Sequence, residues 1–114
     1  MVLSRKERSK INKANRAKGY RVEYDTVQLF KSLGWWAKRL PSREQKGKWS
    51  PVDGFFWNPD KRMFGYFQSK VRKALLTTSE IQNLCLLAQE YKCDIIFSWR
   101  DWGIKWEYLV NQIS

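Results

Sequence analysis

Two short stretches decide the fold of this chain: Ser50-Pro51-Val52-Asp53-Gly54-Phe55 and Phe67-Gln68-Ser69-Lys70. Side chains alternate along a strand, so Gln68 and Lys70 are predicted to share one face while their neighbours point the other way. If that strand pairs with one that opens at Asp53, a carboxylate, an amide carbonyl and an ammonium meet. Oxygen ligands of this kind hold a hard cation, and an ammonium binds phosphate, so the patch suits phosphodiester chemistry.

The hydrophobic periodicity predicts the element order α-β-β-β-α-β-β. Strands are predicted over residues 35–40, 52–57, 63–71, 94–99 and 102–109. The first helix is predicted to begin at Tyr20 and to end at Gly34, with an apolar face of Tyr20, Tyr24, Val27, Phe30 and Leu33. A capping-box pattern, Thr77-Thr78-Ser79-Glu80, predicts the start of the second helix.

Length and composition indicate one globular domain. The chain has 114 residues, of which 43% are apolar, enough for a modest core. It contains no run of about 18 apolar residues and no apolar stretch after its basic start, which argues against a transmembrane helix and a secretory signal. We therefore expect no membrane partner and a cytoplasmic location, in the host cell if the protein is viral.

The positive charge is concentrated in the first part of the chain. The net charge is +11, and residues 1–48 hold 14 of the 22 Lys and Arg residues against four acidic ones. Such asymmetry favours a nucleic-acid partner, because residues 1–18 lack the apolar helical face that an anionic membrane would require. We expect residues 1–18 to form a flexible basic arm and residues 19–114 a single domain. A solvated tail without a partner is the alternative.

The chain has no histidine and two cysteines. The absence of histidine excludes Ser-His and Cys-His nucleophile pairs and zinc sites that need imidazole. Cys85 and Cys93 are expected to be core residues in a reducing compartment.

Taken together, the motifs resemble the PD-(D/E)xK nuclease superfamily, and within it the archaeal-type Holliday-junction resolvases. Pro51-Val52-Asp53 and Gln68-Ser69-Lys70 match the two halves of the superfamily motif. Lys18-Gly19 before a helix with an early Glu23, and the basic loop that follows the first strand, match features of the resolvases.

This resemblance implies an α/β, restriction-endonuclease-like fold, with an α-β-β-β-α-β core and a mixed central sheet flanked by helices. It implies a homodimeric, structure-specific DNA endonuclease that hydrolyses phosphodiester bonds in four-way junctions with Mg²⁺ or Mn²⁺. The implied catalytic residues are Glu23, Asp53, Gln68 and Lys70, with the metal held by Glu23, Asp53 and Gln68. The residues expected to contact DNA are Arg5, Lys6, Arg8, Lys10, Lys13, Arg16, Lys18, Arg39, Ser42, Arg43, Lys46 and Lys48.

Several alternatives stay open from the sequence. The family usually has an acidic residue where this chain has Gln68, which leaves room for a DNA-binding module without catalysis, and branch geometry is not encoded, so flaps, nicks or plain duplex are possible substrates. Asp53-Gly54 is also a common hairpin pair, Lys70 could belong to a basic strand end, and Glu23 could form a surface ion pair. Helical spacing places Asp25 about 200° from Glu23, so only one of them can face the sheet, and Glu23 is better placed.

Seven tryptophans suggest base stacking, but aromatic residues also fill small cores. Trp36, Trp57, Trp99 and Trp106 are expected in the core or at a dimer interface. Trp49, in the basic loop, is the expected candidate for stacking on an exposed base.

Overall fold

The computed structural model describes the backbone of residues 4–112, and the side chains of residue 4 and residues 18–112. Its helices are α1 (Arg5–Ser32) and α2 (Thr78–Tyr91), and its strands are β1 (Trp36–Arg39), β2 (Gly54–Asn58), β3 (Met63–Lys70), β4 (Asp94–Arg100) and β5 (Ile104–Val110). The strands form one sheet in the order β1-β2-β3-β4-β5. Only the β3–β4 pair is parallel, so the predicted mixed sheet and element order are confirmed. Within the described residues, neither helix has the length and apolar character needed to cross a membrane.

Helix α1 is longer than the sequence predicted. It begins at Arg5, not at Tyr20, because nothing before Ser32 breaks it: the added segment is rich in Lys, Arg and Ala and contains no proline. Gly19 lies inside the helix, where glycine lowers stability by about 1 kcal/mol relative to alanine without ending the helix. Residue 18 is therefore not a boundary of secondary structure. The arm itself stays a prediction, since the side chains of residues 5–17 lie outside the described part.

The buried face of α1 also differs in part from the prediction. Val27 and Phe30 are buried as predicted, and so is Val22, which the predicted face did not include, whereas Tyr20, Tyr24 and Leu33 are 44%, 56% and 46% exposed. The face that meets the sheet is therefore rotated toward Val22, which also brings Glu23 inward. Gly34 ends the helix as predicted, in the left-handed region at φ 84°, with the Trp35 N–H donating to the Phe30 carbonyl.

The two faces of β3 carry different layers of the core. Phe67 packs with Val27 and Phe30 of α1, whereas Tyr66 packs against the cluster of Leu84 and Leu87 from α2. The alternation predicted for β3 is thus confirmed, and it places Gln68 and Lys70 on the α2 side. Cys93 is buried as expected, while Cys85 is only half-buried.

Gly54 settles one alternative from the sequence. It begins β2 and pairs with Phe67, so Asp53-Gly54 is not a hairpin turn. A Cβ atom at Gly54 would lie 2.3 Å from the Phe67 ring and 2.5 Å from the Lys38 carbonyl oxygen. Glycine is required here by close approach of three strands, and this packing brings the preceding residue, Asp53, against β3.

Candidate active site

Asp53 is fixed at the place where β2 begins and β3 ends. Its N–H donates to the Phe67 carbonyl at 2.9 Å, and its Oδ2 accepts from the Ser69 N–H at 2.7 Å. On the other side, its carbonyl accepts from the Leu40 N–H at 2.8 Å. The residue is 9% exposed and lies against the part of β3 that carries Gln68 and Lys70.

Glu23 reaches the same place from α1. It too is 9% exposed; its Oε2 accepts a hydrogen bond from Arg39 Nε at 3.0 Å and forms an ion pair with Arg39 Nη2 at 2.9 Å. Burial, followed by the nearby Glu23 carboxylate, raises the pKa of Asp53 to about 8, although the Ser69 N–H and Lys70 act in the opposite direction. A pair of buried carboxyl groups that resists losing its last proton is a site that gains from a bound cation.

Asp25 points elsewhere, as the helical spacing predicted. It is half-buried and forms an ion pair with Arg100 at the end of β4. Of the two acidic residues on α1 in this region, only Glu23 therefore belongs to the candidate site.

Gln68 and Lys70 meet on a third carboxylate, Glu80, which the sequence did not assign to the site. Glu80 Oε2 accepts from Gln68 Nε2 at 2.9 Å and from Lys70 Nζ at 2.8 Å. Its Oε1 accepts from the Thr77 N–H and hydroxyl in the predicted capping box. Burial disfavours the ionised form of Glu80, but the hydrogen bonds from Lys70 and Thr77 outweigh it and lower its pKa.

The capping box was the only sequence signal at Glu80, and it explains only one of the two oxygens. The other oxygen turns toward the sheet because α2 begins beside the end of β3. This second role depends on tertiary contact, so the sequence spacing alone did not indicate it.

Gln68 presents an unused acceptor. Gln68 is 4% exposed, and its Oε1 is buried without a hydrogen-bond partner among the described residues. Because Nε2 is committed to Glu80, the amide cannot turn over without placing its oxygen against a carboxylate. A buried carbonyl oxygen without a partner costs free energy, about 1–3 kcal/mol, that a ligand can recover.

These oxygens fit a hard divalent cation. Mg²⁺ prefers carboxylate and amide oxygens and keeps several waters, and the oxygens of Asp53, Glu23 and Gln68 are of these kinds. Within the described ranges, no group of three or more His, Cys, Asp and Glu side chains could hold a metal ion.

A cluster of hydroxyl groups ties α1 to the sheet beside these residues. Thr26 and Ser98 oxygens lie 2.8 Å apart, Ser98 and Ser69 oxygens 2.7 Å apart, and Thr26 also donates to the Val22 carbonyl. Thr26 is one helical turn after Glu23, and Ser69 lies between Gln68 and Lys70. The cluster therefore fixes the distance between the helix and the strand that bear the site.

The basic loop predicted to contact DNA is only partly available. Arg39 holds Glu23, and Lys48 pairs with Glu90 at 2.9 Å. The pKa of Lys48 is raised by its hydrogen bonds with Tyr91 and Glu90. The other three loop residues predicted to contact DNA are exposed: Ser42, Arg43 and Lys46. Lys18 is exposed on α1, and the side chains of Arg5, Lys6, Arg8, Lys10, Lys13 and Arg16 lie outside the described residues.

A basic cleft lies beside the candidate site, and most of it was not expected from the sequence. We define it by Lys18 and Arg21 of α1, Arg72 after β3 and Arg100 of β4, which line a space of about 540 Å³. Val22 and Val71 form its floor, and each is adjacent in sequence to a candidate site residue. The sequence did not indicate this cleft, because its four cationic side chains come from three segments that are far apart in the chain.

The distribution of buried and exposed tryptophans differs from the prediction. Trp49 packs against Tyr66 and Tyr91 in the core cluster under α2, so it is not free to stack on a base as expected. Trp36 and Trp57 are 53% and 41% exposed on neighbouring strands. Trp102, for which the sequence suggested no role, is fully exposed.

The comparisons with known proteins bear on the fold. No protein-family model matches the chain, and no curated protein matches it. A solved structure of Hjc, a Holliday junction resolvase from the archaeal hyperthermophile Archaeoglobus fulgidus, is similar, with a TM-score of 0.60 and 23% sequence identity over 80% of this chain and 70% of that one. The restriction-endonuclease-like fold suspected from the sequence is therefore confirmed: this chain shares the fold of an archaeal Holliday junction resolvase.

Proposed function

We propose that this protein is a Mg²⁺- or Mn²⁺-dependent DNA endonuclease that cuts branched DNA, in particular four-way junctions. One observation carries the proposal: a buried pair of carboxyl groups, Asp53 and Glu23, lies against β3, where Asp53 accepts from the Ser69 N–H between Gln68, whose Oε1 is partnerless, and Lys70. The shared fold with a Holliday junction resolvase supports the choice of substrate.

The roles of the residues follow from their surroundings. Asp53, Glu23 and Gln68 Oε1 would hold the cation, which supplies Lewis-acid activation of a phosphate and of water. Asp53 must lose its proton before it can bind the ion, and its raised pKa makes that step dependent on pH. Arg39 keeps Glu23 in place through one hydrogen bond from Nε and an ion pair from Nη2, both to the same oxygen.

Lys70 would act on the reacting phosphate. Its ammonium lies on the same face as Gln68 and is held by Glu80 at 2.8 Å, so its position is fixed before substrate binds. From there it orients a water molecule and offsets negative charge that develops on the phosphoryl oxygens.

DNA binding would come from the basic residues near the site. The residues in the first 48 positions supply most of the positive charge, and the basic cleft adds Arg21, Arg72 and Arg100 to the residues expected from the sequence. Phosphate contacts by Lys and Arg release condensed counterions, so affinity should fall steeply with salt.

The protein would act as a homodimer, because a junction of approximate two-fold symmetry needs two related cuts. An aromatic face supports this proposal: Trp36, Phe55, Trp57 and Phe64 lie side by side on β1, β2 and β3 around a shallow space of about 440 Å³. Three of these side chains are 38–53% exposed, which is unfavourable for a monomer in water. Sedimentation of the wild type and of Trp36→Lys tests it, and a monomeric wild type would contradict it.

One observation favours a second candidate, a DNA-binding module without catalysis. Gln68 brings no negative charge, so the site has one carboxylate fewer than the usual motif. A substrate panel separates the two candidates: labelled four-way junction, flap, nicked and plain duplex DNA are incubated with Mg²⁺, with Mn²⁺ or with chelator. Metal-dependent cleavage that is faster on the junction than on the other substrates is expected. Binding without cleavage would favour the module, and preference for another substrate would assign a different nuclease specificity.

A further inference from the structure

Trp102 occupies an unusual position for a large aromatic residue. It lies in the loop Asp101-Trp102-Gly103 that joins β4 to β5, and its relative exposure is 101%, higher than that of any other large apolar side chain in the described part of the chain. The loop is short and closed by a hydrogen bond from the Asp101 N–H to the Gly103 carbonyl at 2.8 Å. The fold gains no buried apolar area from this indole.

The backbone adds to the anomaly. Trp102 has φ 56°, in the left-handed region that suits Gly, Asn or Asp and that bulky residues rarely adopt. An Asn at this position would form the same turn with less strain and would expose no apolar surface. Backbone strain of this kind concentrates at functional sites, so the outlier suggests that the side chain is needed there for contact with a ligand.

The loop lies on the same edge of the sheet as the candidate active site. Strands β3 and β4 are parallel, and Lys70 is in register with Trp99. Three residues of chain and one strand spacing separate Lys70 from Trp102, so their Cα atoms are at most about 15 Å apart. That is the scale of a few nucleotides of DNA.

The charge next to the loop identifies the ligand. Arg100, two residues before Trp102, lines the basic cleft with Lys18, Arg21 and Arg72. Of these, Arg100 is paired with Asp25, whereas the other three form no ion pair or hydrogen bond with another described side chain. An exposed indole beside a row of available cations matches a nucleic-acid strand, whose phosphates need cations and whose unpaired bases need an aromatic surface.

We propose that Trp102 stacks on an unpaired nucleobase of a DNA strand whose phosphates lie in the basic cleft. The inference rests on the proposed function only in taking DNA as the ligand. Bases within a duplex arm are already stacked and are not available to Trp102, whereas a base at a branch point or in a single-stranded end is. The loop would therefore supply part of the preference for branched over plain duplex DNA.

The test compares binding to two DNA probes in the presence of chelator, so that no cleavage occurs. The first is a four-way junction with 2-aminopurine at the branch point, and the second is the duplex of one arm with the same label. The variants are Trp102→Leu, which removes the stacking surface, Trp102→Phe, which keeps one, and Leu86→Ala, a control that alters an exposed apolar residue on α2. Trp102→Asn serves as a second loss variant that fits the left-handed backbone.

Trp102→Leu and Trp102→Asn are expected to weaken junction binding at least fivefold, to leave duplex binding unchanged, and to abolish the change in 2-aminopurine fluorescence. The slope of log affinity against log salt should not change, because the indole carries no charge, whereas Arg72→Gln should flatten it by about 0.9. Trp102→Phe and Leu86→Ala should behave as the wild type. The melting temperature of Trp102→Asn should equal or exceed that of the wild type.

Equal loss on junction and duplex, or no loss on either, would overturn the stacking role. These results are independent of catalysis. A wild type that never cleaves, together with a loss of junction binding alone in Trp102→Leu, would contradict the proposed endonuclease while supporting Trp102. A wild type that cleaves junctions, with no effect of Trp102→Leu on binding, would contradict Trp102 alone.

Discussion

Changing Gln68 to Glu restores the acidic residue of the usual motif, but Glu80 alters what that change should do. In the structure the Gln68 amide donates to Glu80 at 2.9 Å. A carboxylate at position 68 would instead face the Glu80 carboxylate. Two unit charges about 4 Å apart repel by about 4 kcal/mol at an effective dielectric constant of 20, which corresponds to about 3 pKa units. This is an upper value, because the Glu80 side chain is 23% exposed and partly screened by solvent.

Gln68→Glu alone should therefore do little to lower the Mg²⁺ concentration needed for cleavage at neutral pH. One of the two carboxyl groups would keep a proton near pH 7, so the added charge would not reach the metal. The metal-free Gln68→Glu protein should also unfold at a lower denaturant concentration than the wild type. The double variant Gln68→Glu/Glu80→Gln reverses the pair, keeps one hydrogen bond between the side chains and retains the net charge.

The assay is single-turnover cleavage of a four-way junction over a Mg²⁺ titration at pH 7. The double variant is expected to reach half-maximal rate at a lower Mg²⁺ concentration than the wild type, whereas Gln68→Glu alone should show little change. Glu90→Gln, which removes another lysine-paired carboxylate of α2, is the matched control and should have no effect. If Gln68→Glu alone gives the full gain and Glu80→Gln adds nothing, then Glu80 does not constrain position 68. If the wild type is inert and either Gln68→Glu or the double variant cuts, the natural protein is a binding module.

Three further outcomes follow from the same contacts. The pKa of Asp53 is raised to about 8, so its contribution to the stability of the metal-free protein is full below about pH 4 and is lost as the pH rises to about 8, at about 1.4 kcal/mol per pH unit. Asp53→Asn should remove this dependence of stability on pH. The same dependence in wild type and Asp53→Asn, measured by denaturation at several pH values, would contradict it. Glu23→Gln should impair cleavage, while Asp25→Asn, which only releases Arg100, should not. Equal impairment in both variants would contradict the assignment of Glu23, in preference to Asp25, to the active site. Deleting residues 1–17 should weaken junction binding and flatten the salt dependence by about 0.9 for each phosphate that the shortened protein no longer binds, without moving the cut, whereas an unchanged slope would show that this segment does not touch the DNA backbone.

The sequence was sufficient wherever a local pattern had one physical cause. The alternation along β3 predicted which side chains face α2, and the capping box predicted where α2 begins, because pleat and cap geometry act within a few residues. The spacing of Glu23 and Asp25 predicted which of them turns inward for the same reason. The order of helices and strands along the chain also followed, because each strand carries its own short apolar pattern.

The sequence failed where tertiary contact gives a residue its role. Glu80 has the pattern of a cap, and only the docking of α2 beside β3 turns its second oxygen toward Gln68 and Lys70. Trp49 looked available for stacking because it lies in a basic loop, yet it is partly buried and packs against Tyr66. The start of α1 was missed because charged helix formers give no apolar period.

The central claim is that Asp53 belongs to a metal site that cuts DNA. Its most direct test is cleavage of labelled four-way junction by the wild type, by Asp53→Asn and by Asp60→Asn, which alters an exposed carboxylate in the turn after β2, each with Mg²⁺ and with chelator. The wild type and Asp60→Asn are expected to cut with Mg²⁺ and not with chelator, while Asp53→Asn binds the junction but does not cut it. Full activity in Asp53→Asn, or no cleavage by the wild type with either Mg²⁺ or Mn²⁺, would contradict the account.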